Sequence, residues 1–219
     1  MKGIVFLSLA VLTALLLFGC TQSGGESATG RAVVAIADAG SDLNDVSSVV
    51  ITVTNAEVHS DANGWIQLID LSPSPVADSR PFPPQTFDLV ELKESGLAQI
   101  LADASLPEGS YQQIRLTISD VAVTDSNGTH SAKLPSGVLK FAGGFSVDAN
   151  SVSTAVFDFQ LDESLHLTGS GQYIFSPVIQ LETREGAQVE IEGDNVRISG
   201  GSVKDDKKVE MDENGEISE

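Results

Sequence analysis

The run Ile114-Arg115-Leu116-Thr117-Ile118-Ser119 decides how this chain is read. Its apolar residues fall on every second position. On an extended backbone Ile114, Leu116 and Ile118 therefore share one face, and Arg115, Thr117 and Ser119 the other. The same period recurs along the chain. Val49, Ile51 and Val53 interleave with Val50, Thr52 and Thr54; Ile66 and Leu68 with Gln67 and Ile69; Phe157, Phe159 and Leu161 with Asp158, Gln160 and Asp162. β-Branched and aromatic residues at this period mark strands with one buried face. The pattern predicts an all-β chain folded as an antiparallel β-sandwich.

Between these runs the turns share one spelling. Asp61-Ala62-Asn63-Gly64, Asp125-Ser126-Asn127-Gly128 and Asp212-Glu213-Asn214-Gly215 each offer an Asp side chain to cap a turn, then residues that tolerate positive φ. They predict hairpins. The same spelling is a fragment of a calcium loop, but the further oxygen ligands and the distal Glu are missing at the required spacing. No cofactor is expected, with calcium at these turns as the alternative.

One stretch departs from the period. Leu89, Leu92, Leu97, Ile100 and Leu101 fall nearer helical spacing and predict one short helix over Lys93 to Ala102, with Gly96 as its weak point. Pro73, Pro75, Pro81, Pro83 and Pro84 make residues 72–85 a loop, because proline removes a ladder donor. Past Glu185 the chain is Gly-rich and charged. Val189/Ile191 and Val196/Ile198 predict a small hairpin around Gly193-Asp194-Asn195. After Gly200 a solvated tail is expected, or a weak last hairpin.

The N-terminus carries an address. Lys2 is followed by an uncharged run from Gly3 to Phe18. That is short of the roughly 20 apolar residues of a membrane span and has the length of a signal-peptide core. It ends in Leu17-Phe18-Gly19-Cys20, which resembles the lipobox of prokaryotic lipoproteins. The resemblance implies a diacylglyceryl group on Cys20 and cleavage before it. Cys20 is the sole cysteine, so no intramolecular disulfide forms. Thr21 to Gly30, with Ser23, Gly24, Gly25 and Ser27, reads as a flexible tether. Four segments result: signal peptide 1–19, lipidated Cys20 and tether 20–30, sandwich 31–184, and an acidic β-hairpin extension and tail 185–219.

The formal charge is −19, and removing the leader takes away only Lys2 among charged residues. A chain this acidic repels phosphate backbones, which excludes nucleic acid as a partner, and it lacks a basic patch for anionic lipid.

No His-Glu-x-x-His, phosphate loop or Gly-x-Ser-x-Gly is present. The most suggestive row is Phe157 to His166. On a single strand Asp158, Gln160, Asp162, Ser164 and His166 would face one way, making Asp158, Asp162 and His166 candidate ligand contacts. At roughly 3.3 Å per residue a straight strand spreads them too far to share one ion without a bend at Glu163 or ligands from a neighbouring strand. Trp65 is a candidate sugar-stacking ring. Asn127-Gly128-Thr129 is a glycosylation sequon on a predicted turn.

Several pieces taken in order resemble an uncharacterised domain family of bacterial and archaeal lipoproteins. They are Asp38-Ala39-Gly40, Val58-His59 with Trp65, Phe87-Asp88-Leu89, Leu106-Pro107-Glu108-Gly109-Ser110-Tyr111, Leu134-Pro135-Ser136-Gly137, Phe157-Asp158-Phe159, Ser164-Leu165-His166 and Gly171-Gln172-Tyr173. The family commonly has proline where this chain has Gly40. The resemblance spans about residues 31 to 182 and implies an extracellular β-sandwich, transthyretin-like or Ig-like, with no established activity.

The expectation is a non-catalytic, extracytoplasmic lipoprotein held by its lipid to the cell membrane or outer membrane, binding a ligand or a cell-envelope protein. A cation- or carbohydrate-binding protein is the alternative, and an envelope enzyme a second one.

Overall fold

A computed structural model describes residues 28–40, 43, 45–69, 84–212 and 217–218. The leader, Cys20, most of the tether, nearly all of the Pro-rich loop and part of the last turn lie outside the described residues. In chain order the elements are β1 (Thr29–Asp38), β2 (Val46–Ser60), β3 (Gly64–Gln67), β4 (Gln85–Asp88), α1 (Leu89–Ser95), β5 (Ala98–Pro107), β6 (Gly109–Asp125) and β7 (Gly128–Ser131). They continue with β8 (Val138–Val147), β9 (Val152–Phe159), α2 (Leu161–Ser164), β10 (Leu165–Leu167), β11 (Tyr173–Phe175), β12 (Val178–Glu192), β13 (Asn195–Met211) and β14 (Ile217–Ser218).

Two large sheets face each other, giving the expected all-β sandwich. One runs β3-β2-β6-β7, with β4 beside β2 and β8 beside β6; the other runs β12-β9-β1-β5-β13-β14. All strand pairs are antiparallel except β1–β9, which is parallel. The core between the sheets holds Ile36, Ile51, Leu116, Phe141, Phe145, Phe157 and Phe159, all essentially without exposure. Burying each such side chain contributes about 1.5–3 kcal/mol. The alternation at Ile114, Leu116 and Ile118 holds, with all three buried in β6. Tyr111 is wholly buried and its hydroxyl donates to Pro107 O at 2.8 Å.

The helix lies earlier than its spacing predicted. Asp88 caps α1, its side chain accepting from the N–H groups of Val90 and Glu91, and Gly96 stops it in the left-handed conformation at φ 63°. Leu89 and Leu92 supply the buried face. Residues 98–102, expected to be helical, are strand instead: Gln99, Ile100 and Ala102 pair with Ile36, Ala35 and Val34 of β1 around a bulge at Val34/Ala35. In β5 a two-residue period wins, with Ala102, Ala104 and Leu106 buried.

The strand expected through His166 also breaks. β9 ends at Phe159 and the chain turns through α2. Ser164 fixes that turn: its hydroxyl donates to Gln160 O at 2.7 Å and accepts from Val178 N–H at 2.9 Å.

The largest departure is at the C-terminus. The hairpin around Gly193 exists, but it is the tip of a long ribbon made by β12 and β13. β12 crosses residue 184, where the sandwich was expected to end, and β13 continues to Met211 where a tail was expected. Val209 and Met211 enter the main core, and β14 then pairs with the end of β13. The base of β12 lies on β9. Its tip reaches the far side of the sheet, where Asn195 and Val196 pair with Gln99 and Ala98 of β5. The strands β12-β9-β1-β5-β13 thus close on themselves. Under the folded ribbon a second small core forms from Val33, Ala35 and Val196, with Val156, Val189 and Ile198 packed on it.

Candidate functional site

The ribbon does not seal against the sheet everywhere. Where β1 and β9 end, a cleft of about 900 Å³ opens between them, the C-terminal end of α1 and the ribbon. Volumes of this order hold small-molecule ligands. Four carboxylates line it, Asp38, Asp158, Glu182 and Glu190, against the cations Lys93 and Arg197. The remaining wall is largely aliphatic, including Val156, Val196 and Ile198.

Asp38 is the most constrained of these. It is the last residue of β1 and only 6% exposed. Its Oδ1 accepts from Gly40 N–H at 2.8 Å, and the carboxylate also receives the Leu161 N–H. Its Oδ2 is buried with no hydrogen-bond partner. Burial pushes its pKa up to about 7; the two backbone N–H groups and the Lys93 charge oppose the rise, and the Asp158 charge adds to it.

Asp158 lies on the neighbouring strand, in register with Ala37. It receives the Ala39 N–H, yet burial and the charge of Glu182 hold its pKa above the ordinary carboxylate range. Its Oδ1 is likewise buried and unpartnered. Glu182 is neutralised from the other side by Arg184, with bonds of 2.6 and 2.9 Å to its two oxygens.

Gly40 brings the loop after β1 onto α2. A Cβ there would stand 2.7 Å from Leu161 N and 2.6 Å from Asp162 Oδ1. Of the three residues expected to share a strand face, Asp158 therefore lines the cleft and Asp162 lies beside the loop that carries Asp38. His166 is separate, exposed on β10 opposite Ile174. Asp38 was visible in the sequence only as a piece of the family resemblance. Its signal is an acidic residue ending the aliphatic run Ala32-Val33-Val34-Ala35-Ile36-Ala37.

Trp65 lies in the other sheet. The Arg115 guanidinium stacks 3.9 Å from its ring centroid, and His59 packs at 4.9 Å. Arg115 is held in turn by Glu57 at 2.6 Å. A sugar would have to displace that cation to use the same ring face. Asn127 is exposed in its turn, and its N–H donates to Asp125 Oδ1 at 2.7 Å. Tyr173 donates to Asp125 Oδ2 at 3.0 Å, and His130 Nε2 lies 3.2 Å from Oδ1. Both oxygens of this turn carboxylate are thus engaged by the protein. Among the described residues no three His, Cys, Asp or Glu side chains are grouped to hold a metal ion, and no helix is long and apolar enough to cross a membrane.

Fold and cleft together define a β-sandwich whose last ribbon folds over one sheet and leaves a charged cleft at its rim. Residues 29–177 match the family described as a domain of unknown function (DUF4382), and the chain belongs to that family. Neither the curated proteins nor the solved structures gave a match. The match stops one residue before β12 begins, so the ribbon that completes the cleft lies beyond the matched residues.

Proposed function

We propose that this chain is a lipid-anchored extracytoplasmic binding module, held by Cys20 and presenting a small-molecule cleft. The observation that carries the binding half is the cleft of about 900 Å³ under the β12–β13 ribbon, whose walls set four carboxylates and two cations among aliphatic side chains. The binding role is preferred to catalysis because the cleft walls combine carboxylates and cations with aliphatic side chains, while His59, His130 and His166 stand elsewhere. The anchoring half rests on the run ending Leu17-Phe18-Gly19-Cys20.

The test follows the chain in a lipoprotein-processing bacterium fed a clickable palmitate analogue. The reading expects label that disappears in Cys20→Ser, together with digestion of the domain by protease added to spheroplasts. An unlabelled chain, or one shielded from external protease, would contradict it.

A further inference from the structure

The ribbon that walls the cleft is held unequally along its length. Its base belongs to the sandwich: Ile179 and Leu181 of β12, with Val209 and Met211 of β13, lie in the main core, and β12 pairs with β9 as far as Glu185. Its tip does not. Among the described residues, 186–192 and 197–202 have only each other as strand partners. We propose that the tip is a strap over the cleft, swinging as one piece about Gly186 and Gly200 and latched where Asn195 and Val196 meet β5.

The pivot is written in the backbone. Gly186 on β12 and Gly200 on β13 lie at one level of the ribbon, Ala187 being the partner of Gly200. Both hold φ 65°, and a Cβ at either would meet nothing within 4 Å. Packing does not call for glycine at these two places; the left-handed backbone does. A bend carried by a few such residues lets a stiff element swing without breaking its own ladder.

The latch is slight. It consists of the pairs Asn195–Gln99 and Val196–Ala98, the Ile100 N–H donated to Asp194 O at 2.8 Å, and Val196 packed with Val33 and Ala35. Within residues 186–201 only Ala187 and Val196 are buried. Segments with few buried contacts open well below the free energy of global unfolding. The cleft walls divide along the same line: Glu190, Val196, Arg197 and Ile198 belong to the strap, Asp38 and Asp158 to the sheet. Lifting the tip parts the two walls, so the strap sets access to the cleft.

The test is amide hydrogen exchange on the full-length chain in zwitterionic detergent, in a Cys20→Ser background carrying Gln99→Cys and Asn195→Cys. These antiparallel partners have Cα atoms about 4.5–5.5 Å apart, a span that a disulfide bridges. With the pair reduced, the Ile100 N–H is expected to exchange about 100-fold or more faster than the buried Leu116 N–H of β6. The N–H groups of Glu190 and Arg197, partners within the tip, should exchange about tenfold or more slower than Ile100, because the strap moves with its ladder intact. Oxidation should slow Ile100 by about tenfold or more and leave Leu116 unchanged. If the cysteine pair does not fold or oxidise, Val196→Ala carries the test and should speed Ile100 by about tenfold with Leu116 unchanged. Ile100 exchanging at the rate of Leu116, Glu190 and Arg197 exchanging as fast as Ile100, or no response to the crosslink or to Val196→Ala would overturn the strap. The readout needs no ligand, so failure of the binding role leaves it untouched, and its own failure leaves the binding role standing.

Discussion

Gly201 on β13 faces the carbonyl oxygen of Glu185 across the ribbon so closely that a Cβ would stand 2.5 Å from it. Gly201 also holds φ 69°, next to Gly200 at 65°. The tight approach follows just beyond the register shift at Thr183/Arg184, and the ribbon tip then returns to β5. Gly201→Ala adds a strained backbone to a clash with backbone atoms and should cost about 2–4 kcal/mol. For a chain of this length that lowers Tm by roughly 5–15 °C. The amide of Ile100, which donates to Asp194 O at the ribbon tip at 2.8 Å, should exchange faster with solvent. Unchanged Tm and exchange would show that the bend does not depend on this glycine.

Asp88 serves three backbone groups and a side chain. Its Oδ1 accepts from Val49, Val90 and Glu91 N–H, and its Oδ2 accepts from the Ser48 hydroxyl at 2.6 Å. It ties the start of α1 to β2. Asp88→Ala should destabilise by about 1–2 kcal/mol in denaturant unfolding, with Asp88→Asn recovering part of it. Equal loss in both variants would mean that charge, not capping geometry, dominates.

Asp38 gives a pH dependence whose sign is fixed. Its pKa in the fold, about 7, lies above its ordinary value, so the folded state binds the proton more tightly. This contribution is full below about pH 4 and is lost as pH rises through 7; it reaches about 4 kcal/mol at most. Asp125 acts oppositely. The Asn127 N–H, with Tyr173 and His130, holds its pKa low, so its contribution is lost as pH falls. Subtracting the unfolding free energy of Asp38→Asn from that of the unsubstituted chain isolates the Asp38 part. That difference should fall between pH 4 and pH 7, and a flat or rising difference would contradict the buried-carboxyl account.

Trp65 is the only tryptophan, so its fluorescence reports the Arg115 stack directly. Arg115→Met should change its emission and lower stability by about 1 kcal/mol. In a double-mutant cycle with Glu57→Gln the coupling should be about 0.5–1 kcal/mol, because the pair is partly exposed. Emission indifferent to Arg115 would remove the stack as a structural element.

Much of the sandwich was legible because its strands bury one face. β2 and β6 kept the alternation read from Val49 to Val53 and from Ile114 to Ile118, and Asp61 and Asp125 closed the expected hairpins. The helix was misplaced because Gly96 accepts a left-handed stop that spacing alone cannot see, while the partner strand β1 recruited residues after it. The row from Asp158 to His166 failed for a similar reason: Ser164 makes buried side-chain bonds that bend the chain. The C-terminal ribbon was least legible. Its exposed half is Gly-rich and charged, and only contact with Val33, Ala35 and Ala98, distant in sequence, shows why it folds back. Asp158 was singled out, whereas Asp38 needed the fold to bring it alongside.

The most direct test is the carboxyl 13C resonance of Asp38 in the full-length chain, followed from pH 4 to pH 9. The groups acting on it are Asp158 on β9, Lys93 on α1, the Gly40 N–H in the loop after β1 and the Leu161 N–H at α2. The account predicts a midpoint near 7, because burial of the carboxyl outweighs the two N–H groups and the Lys93 charge. A midpoint in the ordinary aspartate range would contradict it.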